Sequence, residues 1–157
     1  MSPPGLDDPV MARIHAAQQR AIGGDRPGAA ADLARLWTEI GAEHGDPLHA
    51  VSLAHFMADL QDDPADELAW DERALAAADG LTDERAARYH ATLQVRGFYP
   101  SLHLNLAADH VKLGDAAAAR RHLDLTEAGF GDLPPGDYAD MIIGAVARLR
   151  GELGAET

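Results

Sequence analysis

At 157 residues the chain is long enough for one domain with a real core and short for two ordinary ones. A hydrophobic content of 46% excludes the disordered class, and the lack of any cysteine excludes disulfide staples, thiolate zinc sites and cysteine nucleophiles. The 26 acidic and 13 basic residues leave a net charge of −13, which repels phosphate backbones and anionic lipid.

Alanine occurs 32 times, whereas Val, Ile and Thr together number 15, so composition favours helix over sheet. Lys112 is the single lysine, and the one local basic pair, Arg120-Arg121, reads as a solvated helix face. No nucleic-acid partner is expected, and the charge suits a basic one. The start, Met-Ser-Pro-Pro-Gly-Leu-Asp-Asp-Pro, has neither a basic nor an apolar stretch, so no signal peptide is expected. No uncharged apolar run approaches the roughly 18 residues of a membrane span. The expected location is the cytoplasm, away from membranes.

In chain order, residues 1–7 are expected to be disordered. Asp8-Pro9 opens a helix over 8–22, stopped by Gly23-Gly24, because an aspartate cap before a proline suits a first turn. A second helix covers 26–44, with Leu33, Leu36, Trp37 and Ile40 at helical spacing. Asp46-Pro47 and Asp63-Pro64 open helices over 47–61 and 64–79, the latter with Asp66-Glu67 in its first turn. Thr82-Asp83-Glu84 starts 82–95. Pro100 lies in the first turn of 99–113, and Gly114-Asp115 ends that helix and caps 115–128. Gly129-Phe130-Gly131 is a turn before 135–152, where Met141, Ile142, Ala145, Val146 and Leu149 form a stripe. Residues 154–157 are expected to be flexible. Short turns make neighbouring helices antiparallel, so the fold class is all-α, built of helical hairpins in a single domain over 8–153.

One unit, Ser101 to Leu123, resembles a tetratricopeptide repeat. Ala107, His110, Gly114-Asp115, Ala119 and Leu123 match that family's register of small and large contact residues around a Gly-Asp turn. Gly24-Asp25 with Leu33, and the turn Gln61-Asp62-Asp63-Pro64, echo it. Two features depart from the pattern: His103 and His110 stand where large aromatics are usual. The resemblance implies hairpins stacked as a short right-handed solenoid, closed by a C-terminal capping helix at 135–152.

It also implies a non-catalytic protein–protein or peptide interaction module, binding in a concave groove lined by the first helix of each repeat. On 99–113 that face would carry Ser101, Leu104, Asn105, Ala108 and Lys112, with Asn105 at a position that contacts peptide backbone in some relatives. Relatives that clamp a C-terminal carboxylate need several basic residues there, which this chain does not supply, so a neutral or basic peptide is expected. Two alternatives stand beside this. One is a metal-dependent helical enzyme using His55, Asp59, His103 or His110. The other is a self-associating regulatory domain that uses an unfinished repeat edge.

Chemical motifs are sparse. No HExxH, P-loop, GxSxG or GxGxxG pattern occurs. Acid pairs such as Asp62-Asp63 and Asp71-Glu72 fall at helix starts or on polar faces, where capping and solvation explain them. His44 and His49 straddle a turn. Trp37 and Trp70 read as core anchors. Arg96-Gly97-Phe98-Tyr99-Pro100 reads as an elbow between helices. Catalytic residues, metal ligands and cofactors are therefore assigned as none.

Overall fold

The computed structural model describes residues 8–89 and 95–155; the expected disorder of 1–7 lies outside them, as does the stretch 90–94. Among the described residues there are eight α-helices and no strand. They are α1 (Pro9–Ile22), α2 (Arg26–Glu39), α3 (Pro47–Asp59), α4 (Pro64–Asp79), α5 (Asp83–Tyr89), α6 (Tyr99–Leu113), α7 (Ala116–Ala128) and α8 (Asp137–Ala155), with short 3-10 turns at Val95–Gly97 and Phe130–Asp132.

Aspartates start five of these helices. Asp8, Asp25, Asp46, Asp63 and Asp115 each sit at an N-cap and accept backbone N–H bonds from the first turn. Each such cap contributes about 1 kcal/mol. Thr82 does the same for α5, its hydroxyl accepting from Arg85 N at 3.1 Å. Gly114 ends α6 with φ of 79°, a left-handed conformation that Gly adopts without strain. Helix α2 stops at Glu39, five residues before the expected end at 44, because Gly41 turns the chain at φ of 57°. The helix expected over 82–95 is described only as α5 and the turn at Val95–Gly97. Helix α8 runs through Gly154 to Ala155, where a flexible terminus was expected, because Leu153 is buried and holds the last turn down.

The chain divides into two compact units, up to Val95 and from Arg96 onward. In the first, α1 pairs with α2 and α3 with α4, and α3 rests on both helices of the first hairpin. Its core is Met11, Ile14, Ala17, Ala29, Leu33, Leu36, Leu53 and Met57. Trp37 and Trp70 pack edge to face, centroids 5.1 Å apart, as half-buried flanks of this core.

In the second unit α6 pairs with α7, and α8 rests on both. Leu104, Ala107, Ala119, Leu123 and Leu133 meet Ala139, Ile142, Val146, Leu149 and Leu153 of α8. Those five α8 residues repeat at alternating steps of three and four, the spacing that keeps one helix face against its neighbours. Ala107 and Ala119 are both fully buried, with no side-chain bulk to hold α6 and α7 apart.

Candidate functional sites

On α6 the expected groove residues do not form one exposed face. Ser101, Asn105 and Ala108 are half-buried and Lys112 is exposed, but Leu104 is 8% exposed and belongs to the core against α8. Leu104 is therefore a packing residue: the α8 seam claims it. The Ser101 hydroxyl donates to the Phe98 carbonyl at 3.0 Å, an ordinary first-turn contact.

The same hairpin assembles a column of rings. Tyr99, His103 and His110 on α6 meet His122 on α7, with centroid separations of 6.1 Å (Tyr99–His103), 5.3 Å (His103–His122) and 5.5 Å (His110–His122). The Nδ1 atoms of His103 and His122 are 3.1 Å apart. Their centroid distance exceeds this by about two ring radii, so the two nitrogens face each other head-on. One carries a proton and the other accepts it. Burial, and then the neighbouring charges of His103, His110 and Arg121, push His122 down to about 4.

His55 and Asp59, the other expected metal candidates, lie on α3 in the first unit; His55 is half-buried beside Phe56 and Asp59 is exposed. The first unit also contains a charge clamp that the sequence did not show. Asp8 Oδ1 accepts from the Val10 and Met11 amides, and its Oδ2 accepts from His49 Nε2 at 2.8 Å. A carboxylate can only accept, so His49 carries its proton on Nε2. Asp46 caps Leu48 with Oδ1 and takes two bonds from Arg85, at 2.8 and 2.6 Å, on Oδ2. Burial would raise both carboxyls, but the bonds from His49 and the Met11 amide hold Asp8 below 3.8, and those from Arg85 and the Leu48 amide do the same for Asp46. The clamp ties the starts of α1 and α3 to α5.

Among the hollows that open on the first unit are a cleft and a notch. The cleft, of about 370 Å3, lies where α2 ends, α3 begins and α4 ends, with Trp37, Pro47 and Ala50 as apolar lining and Glu43 and Arg73 among its charged residues. The second, of about 250 Å3, lies between the first helices of the two hairpins. Gln18 and Ile22 of α1, Arg26 and Leu33 of α2, and Phe56 and Asp59 of α3 line it, along with Leu60. Ile22 is 72% exposed at its edge. Ligand pockets generally span about 300–1,000 Å3, so the second notch suits a single side chain rather than a whole small molecule.

No family model matches this chain, and comparison with curated proteins and with solved structures gives no match. No helix among the described residues is long and apolar enough to cross a membrane.

Proposed function

We propose that the protein is a non-catalytic, tetratricopeptide-like interaction module that binds a neutral or basic peptide segment of a partner protein. The notch between α1 and α3 carries this reading. In a repeat of that kind the first helices of successive hairpins line the binding face, and this notch lies between two such helices. Its volume fits one anchoring side chain, its walls include Ile22, Leu33, Phe56 and Leu60, and Asp59 and Arg26 both line it, so the preference for a basic segment rests on the net charge of −13. Within each unit, the third helix resting on both helices of the preceding hairpin is the contact pattern that stacked repeats require.

Selection of a random peptide library on the whole protein tests the proposal, with counter-selection on Ile22→Glu. Ile22 is exposed, so the variant keeps the fold, as an unchanged thermal melt will verify. Enriched peptides are expected to carry one apolar anchor beside Lys or Arg, and to lose at least tenfold in affinity for the variant. Enrichment of acidic peptides, or equal binding to both proteins, would refute the assignment.

A further inference from the structure

Helix α8 turns its buried seam to the core of the second unit, and its other side is uncovered. With about 100° between successive residues, the side opposite that seam centres on Gly144 and Gly151. Asp140, Met141, Ala147 and Arg148 flank them, and all six are exposed. A Cβ built at Gly144 or Gly151 would meet no atom within 4 Å, so nothing in the chain approaches there. Met141 is 57% exposed, which is a large apolar side chain left in water. Each glycine in a helix interior is unfavourable relative to alanine, and neither gains a compensating contact inside the chain.

The charges on this face identify what covers it. Arg150, on the side of α8 toward α7, bonds Glu127 and Asp124 at 2.7 Å each. Arg148 and Asp140, by contrast, make no side-chain ion pair among the described residues. They stand four positions to either side of Gly144, with opposite signs. That arrangement is self-complementary under a two-fold axis through Gly144. An antiparallel second copy brings Asp140 against Arg148 of the other chain, and Arg148 against its Asp140. A parallel copy would set like charges together. The absence of side chains at Gly144 lets the two backbones approach, and Met141 then covers Ala147 of the other copy.

We propose that α8 is a homodimerisation surface, on which two copies pair antiparallel with their crossing at Gly144 and two Asp140–Arg148 ion pairs flanking it. This inference is independent of the partner-binding reading, because it uses none of the residues of the α1–α3 notch, and either can fail alone.

Charge exchange in the full chain tests it, read by sedimentation velocity over a concentration series, with thermal melts as the check on folding. The wild type is expected to dimerise. Asp140→Arg and Arg148→Asp should each weaken the dimer by roughly tenfold or more, since each converts two attractive pairs to repulsive ones. The double exchange should restore it. An equimolar mixture of the two single variants should form a heterodimer tighter than either alone, while the loss in each single exchange and its repair in the double exchange are specific to antiparallel pairing. Gly144→Leu should abolish association while leaving the melt close to that of the wild type. A wild type that stays monomeric at its highest soluble concentration would overturn the proposal. So would a dimer indifferent to these substitutions, or single-exchange defects that the double exchange does not repair.

Discussion

The His103–His122 contact makes stability depend on pH in a definite window. His122 is at about 4 in the folded protein against 6.5 for an ordinary histidine. Between those values the unfolded chain binds a proton that the folded chain refuses, so stability rises with pH there. Above 6.5 the neutral ring carries no penalty; as pH falls from 6.5 toward 4 stability is lost. At full strength such a difference corresponds to about 3 kcal/mol. His122 is only half-buried, so solvent screening reduces the expected loss to about 1 kcal/mol. Burial of the ring is the first cause, and the charges of His103, His110 and Arg121 around it add to the shift. Urea unfolding at pH 7 and pH 4.5, for the wild type and His122→Gln, isolates this group, because every other histidine is present in both proteins. The wild type should lose about 1 kcal/mol more than the variant across that interval. Equal losses, or an NMR titration of the His122 ring with a midpoint near 6.5, would refute the reasoning.

Three further outcomes follow from packing and charge. Arg85→Ala removes the cation that faces Asp46 and lies 3.6 Å from Asp8, and should cost about 1–3 kcal/mol in chemical denaturation. Because Asp8 and Asp46 are held below 3.8, their contribution is intact above that pH and lost as pH falls below it; the Arg85→Ala protein should lose less over the same acid range. Ala119→Leu forces extra bulk into a fully buried position between α6 and α7 and should destabilise by about 1–3 kcal/mol, seen as a lower melting temperature. At Gly129 a Cβ would come within 2.8 Å of the Pro100 ring, so Gly129→Ala should lower the melting temperature too, whereas Gly131→Ala, which meets nothing within 4 Å, should not.

Local signals read well where the physics is local. Asp-Pro at 8–9, 46–47 and 63–64 marks helix starts because cap and proline act within a turn of one another. Chain ends of helices were harder to read. Ala42 and Glu43 prolong a helical pattern past Gly41, yet the left-handed backbone there has already ended α2. The last helix was expected to end at 152 before a flexible terminus, yet buried Leu153 carries it on to Ala155. Leu104 sits at a position that the repeat register gives to the groove, and only the tertiary seam with α8 shows that it is core. His122 and Arg85 carried no mark in the sequence, because their partners, His103 and Asp46, lie 19 and 39 residues away. The same holds for the notch, whose walls Ile22 and Phe56 belong to different hairpins.

The charge surplus takes on a sharper meaning once the pairs are placed. At least seven of the twelve arginines, Arg13, Arg20, Arg26, Arg35, Arg85, Arg96 and Arg150, face carboxylates within the chain. The positive charge is thus largely neutralised internally, while the excess of acids remains to act outward. Five acids are N-caps anchored at helix starts by backbone amides, and of these Asp8, Asp25 and Asp46 also face cations within the chain, so Asp63 and Asp115 belong to the excess. A partner of opposite sign would be drawn by this field with a strength that falls as salt rises, since the screening length shrinks from about 10 Å at 0.1 M to about 3 Å at 1 M. Binding of a basic peptide at the α1–α3 notch should therefore weaken steeply over that range, mainly through a slower association rate. An association rate unchanged by salt would mean that the notch selects by shape alone and that the acidic surface has no part in choosing the partner.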